Sequence, residues 1–281
     1  MALIWSFVLH GTARLNFGPH PERARADAEL LLLHLLGKDK AWLMTHRDEE
    51  LAETKAVLYT QLLERRCKGE PIQYITGETE FYALPFRVMP DVLIPRPETE
   101  HLVEKAIALA VGNREPRIVD VGTGSGCIAV ALANKLPQAQ ITATDISSSA
   151  LAIAEENALH NKVSIRFLQG DLLVPVAGEH FDFVVSNPPY VPTADRASLS
   201  VEVRDFEPAL ALFAGADGLE VYRSLIPAAF DALNPGGFVL LEIGYGQSTA
   251  IAELLARSGF GQVEFIPDLQ GIPRVACARR P

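Results

Sequence analysis

The sequence predicts an α/β fold in three stretches. A small helical bundle spans residues 1–72, a connecting β-hairpin 73–92, and a doubly wound, mostly parallel sheet 93–281. Three observations lead there. Apolar runs of strand length recur from Arg117 onward, separated by helix-forming sequence. Four of these runs stop at a glycine loop or a polar side chain, at Gly122, Asp145, Asp171 and Asn187. The first 72 residues instead carry apolar faces at helical spacing and no glycine-loop chemistry.

The opening residues 1–9 are apolar but lack a basic leader and an evident cleavage site, so they read as a first helix. Residues 21–36 set Ala28, Leu31, Leu32, Leu35 and Leu36 on one face, and Gly37 stops the helix. Residues 49–67 repeat the pattern with Leu51, Val57, Leu58, Leu62 and Leu63 before Lys68-Gly69. Residues 73–92 alternate aromatic and polar positions (Tyr74, Phe81, Tyr82, Phe86, Val88), which suits the hairpin. Pro95 and Pro97 introduce a helix over 98–111, with Glu98 and Glu100 at its positive end. Strands follow at 117–121, 140–145, 163–168, 181–186 and 238–243. Residues 262–266 and 274–278 read as a closing antiparallel pair.

The first sheet strand runs into Gly122-Thr123-Gly124-Ser125-Gly126 and then a helix that begins at Cys127. Glycines let backbone approach a ligand closely, and a helix start offers free N–H groups. The spacing is Gly-x-Gly-x-Gly, not the Gly-x-Gly-x-x-Gly of dinucleotide sites. Asp120, two positions earlier, would repel a pyrophosphate and attract an amino-acid ammonium. That favours S-adenosylmethionine. Asp145, 23 residues after Gly122, sits where an acid can accept both ribose hydroxyls. Asp171 is placed to take an adenine amino group.

Asn187-Pro188-Pro189-Tyr190 follows the apolar run 181–186, so an Asn side chain lies at the carboxyl end of a strand. Two prolines fix the chain and remove two backbone donors, while their carbonyls still accept. An oxygen from Asn187, a carbonyl from Pro188 and a ring from Tyr190 suit a planar group bearing an NH2. These residues are the candidate catalytic and substrate-binding set, with Pro189 beside them.

Hydrophobic residues make up 48% of the 281, enough for a sizeable core. The three cysteines are scattered and the seven histidines form no ligand pair, so no metal site is expected. Free thiols suit a cytoplasmic protein. No apolar run reaches membrane-spanning length. The net charge of −10 falls entirely on residues 73–281, which hold 15 basic and 25 acidic side chains. A nucleic-acid enzyme needs a basic footprint, and none is present, whereas a basic protein partner would be steered in.

These residues resemble the Rossmann-like class I S-adenosylmethionine-dependent methyltransferases. More narrowly, the chain is similar to the PrmC/HemK family of peptide chain release factor glutamine methyltransferases. The resemblance rests on Gly69-Glu70-Pro71-Ile72-Gln73-Tyr74-Ile75-Thr76-Gly77 and Leu93-Ile94-Pro95-Arg96-Pro97-Glu98-Thr99-Glu100, with the glycine loop and Asn187-Pro188-Pro189-Tyr190. Phe206-Glu207-Pro208, Gly215-Ala216-Asp217-Gly218-Leu219, Leu241-Glu242-Ile243-Gly244 and Asp268-Leu269-Gln270-Gly271 add to it. It implies a seven-stranded sheet with an antiparallel last strand, and a monomer. S-adenosylmethionine would be held by Gly122, Thr123, Gly124, Ser125, Gly126, Asp145, Asp171, Leu172 and Asn187, leaving S-adenosylhomocysteine as product. The acceptor it implies is the glutamine of the Gly-Gly-Gln motif in class-1 release factors, docked by residues 1–72. The segment 93–100 would border the methionine part of the cofactor. Leu172 stands where members of the family often carry a bulky aromatic.

Three other readings remain at this stage. A DNA or RNA amino-group methyltransferase would use the same Asn-Pro-Pro-Tyr geometry on a flipped adenine or guanine. The acidic second part and the missing base-recognition domain weigh against it. A nicotinamide oxidoreductase conflicts with the glycine spacing. A non-catalytic cofactor-binding protein has no use for an intact Asn-Pro-Pro-Tyr.

Overall fold

The computed structural model describes residues 3–281, so Met1 and Ala2 of the expected first helix lie outside the described residues. The chain folds as two compact units. One runs up to Gly77 and takes in Leu199–Phe206; the other is Glu78–Ser198 with Glu207–Pro281.

The first unit is helical, with α1 (Ile4–Leu15), α2 (Ala24–Leu36), α3 (Lys40–Thr45), α4 (Glu53–Cys67) and α5 (Ile72–Thr76). Val8, Ala28, Leu31, Leu32, Tyr59 and Leu63 form its core. Each Val or Leu side chain there removed from water stabilises the unit by about 1.5–3 kcal/mol. The buried Tyr59 hydroxyl donates to the Ala28 carbonyl at 3.0 Å, which satisfies its one polar atom. Gly37 ends α2 with φ +63°, the left-handed cap its position predicts.

Two boundaries differ from the sequence reading. Residues 73–76, expected in the hairpin, instead form the helical turn α5, entered from Pro71 and closed by Gly77 at φ +78°. The hairpin is shorter, with β1 (Glu78–Phe81) pairing antiparallel with β2 (Leu84–Arg87).

The second unit continues with α6 (Glu100–Ala110), β3 (Arg117–Val121), α7 (Cys127–Lys135), β4 (Gln140–Asp145), α8 (Ser148–His160), β5 (Arg166–Gln169) and β6 (Phe181–Ser186). The chain then leaves it for α9 (Val201–Phe206), which belongs to the helical unit. There Glu202 bonds the buried Arg66, whose Nε also donates to Asp27 at 2.6 Å. The sequence reading had kept all of 93–281 in one unit. Afterwards come α10 (Ala209–Leu212), α11 (Glu220–Ala232), β7 (Leu233–Glu242), α12 (Ser248–Arg257), β8 (Gly261–Pro267) and β9 (Pro273–Arg279).

The seven-stranded sheet has the order β5-β4-β3-β6-β7-β9-β8. From β5 to β7 all pairs are parallel, and β9 is antiparallel to both neighbours, as expected. Strand periodicity sorts β3 between two cores. Ile118 packs with Leu102, Val103 and Leu132 of α6 and α7, whereas Val119 and Val121 pack with Leu225 and Ile251 of α11 and α12. Burial on both faces explains why β3 and β6 read as apolar runs. No helix among the described residues is long and apolar enough to cross a membrane.

Candidate active site

The strand order reverses between β3 and β6, and a parallel sheet opens a crevice at such a point. A cavity of about 400 Å³ lies there, within the range of small-molecule sites. Its walls come from the ends of β3, β4, β5 and β6 and from the segment before α6.

The glycine loop is held by backbone. Gly122 and Thr123 donate their N–H groups to the Thr144 carbonyl at 2.8 and 3.0 Å. Gly122 and Gly124 have φ values of +70° and +56°, and a Cβ on either would meet nothing within 4 Å. Their backbone therefore borders open space. Gly124 also donates to Asp145 Oδ2 at 2.8 Å, and Ser147 donates to Oδ1 at 2.9 Å. Both carboxylate oxygens are fixed by one N–H each, and each keeps a lone pair for a ligand hydroxyl. Thr123 and Ser125 line the cavity as expected. Gly126 does not: at φ +79° it sets the start of α7 against α8, where an added Cβ would stand 3.0 Å from Ala154 Cβ.

Asp120 also lies apart from the cavity. It is fully buried, and Thr123 Oγ1 donates to its Oδ2 at 2.6 Å. Burial, with a smaller push from Asp145, raises its carboxyl to about 7. Asp120 thus braces the loop from within, and its attraction for an ammonium is weaker than the sequence suggested.

Asp171 and Leu172 line the cavity. Leu172 holds φ +46°, rare for a side chain of its size, and Thr144 Oγ1 donates to its carbonyl at 2.8 Å. Ile146, directly after Asp145, is half exposed and lines the same space. Hydroxyl acceptors at Asp145, an acid at Asp171, two aliphatic side chains and a bare glycine backbone fit the ribose, adenine and amino-acid parts of S-adenosylmethionine.

Asn187 and Pro189 face the cavity, Pro188 is buried, and Tyr190 packs on the core beside β7. Asn187 Nδ2 donates to Thr99 Oγ1 at 3.2 Å, and Thr99 Oγ1 donates to Glu242 Oε2 at 2.5 Å. The Tyr190 hydroxyl donates to Glu242 Oε1 at 3.3 Å. Gln247 Nε2 donates to the Tyr190 carbonyl at 3.0 Å. Burial first, then Glu242, pushes the Tyr190 phenol above its ordinary range, so it stays protonated. Burial raises Glu242 to about 7 against the lowering effect of its hydrogen bonds to Thr99 and Tyr190.

Sequence reasoning set the segment 93–100 beside the cofactor but gave no individual role to Arg96 or Thr99, and none to Glu207, Ile146, Glu242 or Gln247. Arg96 lines the cavity and donates to both oxygens of Glu207, at 2.7 and 2.6 Å. An isolated apolar residue after a strand-end acid was the one local signal, at Ile146. Among the described residues no group of three or more His, Cys, Asp or Glu is placed to hold a metal ion. Cys127 is half-buried on the cavity wall beside the loop, with its thiol pushed up to about 12 by burial.

Two family models match the chain: the PrmC N-terminal domain over residues 9–77 and the methyltransferase small domain over 99–206. A release factor glutamine methyltransferase of Koribacter versatilis is 44% identical over 258 residues, 92% of this chain and 91% of the relative. One from Deinococcus radiodurans is 42% identical over 271 residues, 96% and 95% of the two chains. Among solved structures, a ribosomal protein L11 methylase of Lactobacillus delbrueckii superposes with a TM-score of 0.50 at 26% identity, covering 66% of this chain and 81% of that one.

Proposed function

The chain belongs to the family of release factor glutamine methyltransferases, and from that membership we propose the finer reaction. The acceptor is N5 of the glutamine in the Gly-Gly-Gln motif of class-1 peptide chain release factors. The donor is S-adenosylmethionine, and S-adenosylhomocysteine is released.

One observation carries the assignment of roles. Asn187 commits its Nδ2 to Thr99, which leaves Oδ1 as the amide atom free to accept at the cavity edge. A glutamine NH2 has two hydrogens to place. Asn187 Oδ1 takes one and the Pro188 carbonyl takes the other, which turns the nitrogen face toward the glycine loop. Tyr190 flanks the amide plane. An amide nitrogen is a poor nucleophile because its lone pair is delocalised. The sulfonium of S-adenosylmethionine supplies a methyl already activated by charge. The residues named therefore act by orientation, which is worth up to about 7–11 kcal/mol. No base is required of the protein: Tyr190 keeps its proton, and Glu242 has both oxygens engaged. The amide proton leaves to water.

The helical unit docks the release factor, and the excess negative charge of the second unit steers a basic partner. The enzyme works as a cytoplasmic monomer on protein, without direct nucleic-acid contact.

The deciding experiment is transfer of labelled methyl to a purified release factor, beside a Gly-Gly-Ala variant and a duplex DNA. Label on the wild-type factor alone is the expected result. Label on the Gly-Gly-Ala variant would move the acceptor elsewhere, and label on DNA would replace the reading with a base methyltransferase.

A further inference from the structure

We propose that Glu242 is a positioning residue for the Asn-Pro-Pro-Tyr motif, acting through Thr99 to fix which way the Asn187 amide points. The inference rests on the reading above, in which Asn187 Oδ1 accepts from the substrate.

An Asn amide is nearly symmetric in shape, and its two orientations differ only in hydrogen bonding. Only one presents an oxygen to a substrate NH2. Thr99 decides between them. Its hydroxyl has a single proton, and with Glu242 ionised, as it is above pH about 7, that proton goes to Glu242 Oε2 at 2.5 Å. Thr99 Oγ1 then offers only lone pairs, which accept from Asn187 Nδ2 at 3.2 Å. A flipped Asn187 would set Oδ1 against an oxygen with no proton to give. The carboxylate thus reads out, through one hydroxyl, as the orientation of an amide it does not touch.

The same carboxylate holds the other end of the motif. Its Oε1 accepts from the Tyr190 hydroxyl at 3.3 Å, so both oxygens of one side chain serve Asn187 and Tyr190. The strand that carries it is fixed in turn, because the Tyr222 hydroxyl donates to the Glu242 carbonyl at 2.6 Å. Glu242 is 2% exposed at the end of β7. Burying a carboxyl there is unfavourable unless its hydrogen bonds are made, and an aliphatic residue would fill the site without that burden. A carboxyl at this buried position matches a role in orientation.

The test compares Thr99→Val, Glu242→Gln and Thr99→Ser in the methyl-transfer assay. S-adenosylmethionine affinity is read separately by calorimetry and folding by thermal melting. Thr99→Val keeps the shape and loses the hydroxyl. It should lower kcat about 10- to 100-fold, the scale of a misplaced reacting group, with both KM values within about 2-fold. Thr99→Ser should restore kcat to within about 3-fold. Glu242→Gln should lower kcat in the same range. In an Asn187→Ala background, Thr99→Val should cost nothing more, since its effect passes through Asn187. Wild-type kcat in Thr99→Val, or full additivity with Asn187→Ala, would overturn the proposal. A wild-type enzyme that binds cofactor yet methylates no glutamine would instead sink the underlying function.

Discussion

Replacing Asp145 by Asn changes one oxygen into an NH2 and leaves the size unchanged. In the wild type both carboxylate oxygens accept a backbone N–H, from Gly124 at 2.8 Å and Ser147 at 2.9 Å. An Asn has one oxygen, so in either orientation its NH2 faces one of those donors. At least one hydrogen bond to a charged acceptor is lost, together with the charge that would receive the ribose hydroxyls. The Gly124 and Ser147 bonds are made with and without ligand, so the change in affinity comes from the ribose contact, and a hydrogen bond to a charged acceptor is worth about 1.5–3 kcal/mol. At 1.4 kcal/mol per tenfold, the expected loss in S-adenosylmethionine affinity is about 10- to 150-fold. Titration calorimetry of purified Asp145→Asn measures this directly. Turnover at saturating cofactor should fall far less if Asp145 holds the ribose, which lies away from the reacting methyl. A dissociation constant within about 3-fold of wild type would refute the reasoning, because cofactor binding would then not depend on that carboxylate.

Three further outcomes are expected. Asn187→Ala should cut turnover by about 100-fold or more while cofactor affinity stays within a few fold, as single-turnover kinetics and calorimetry would show. Gly126→Ala should destabilise the fold by about 1–3 kcal/mol in denaturant melts, because a Cβ at φ +79° is strained and stands 3.0 Å from Ala154 Cβ. For pH, burial raises the Glu242 carboxyl from its ordinary 4.5 to about 7. Between those values the folded state keeps a proton that the unfolded state has released, so stability falls as pH rises through the window and levels off above it. Relative to Glu242→Gln, the wild type should lose about 3 kcal/mol of stability from pH 4.5 to 8, at 1.36 kcal/mol per pKa unit. Parallel stability curves for the two proteins would contradict the burial argument.

Much of the sheet is legible because parallel strands are buried on both faces. Ile118, Val119 and Val121 read as an apolar run since each meets a core. The edge strand was less clear: the run 163–168 predicts a strand there, but β5 pairs over Arg166–Gln169, where half-exposed residues blur the start. Tyr74 and Ile75 are common strand residues, which drew α5 into the expected hairpin. The punctuation at Pro71 and Gly77 carried the opposite message and prevailed. The site splits in the same way. Residues next to a turn or a strand end, such as Gly122, Asp145 and Asn187, carry local signals. Glu242 lies 143 positions from Thr99, and no local pattern announces a partnership made across the fold.

The return of α9 to the helical unit bears on how this gene can be cut. Glu202 bonds Arg66 across 136 positions, and the Arg66 side chain is only 2% exposed. Val201 packs so close to Gly69 that its Cγ1 would stand 2.6 Å from an added Cβ. The helical unit is therefore a discontinuous folding unit, completed by eight residues encoded after the Asn-Pro-Pro-Tyr motif. A fragment ending at Gly77 would keep Asp27 beside Arg66 but lose the second carboxylate. Arg66 keeps Asp27 as its partner, so losing Glu202 should weaken the unit without leaving a bare buried charge. Chimeras that swap helical units between relatives should therefore carry residues 199–206 along with residues 1–77.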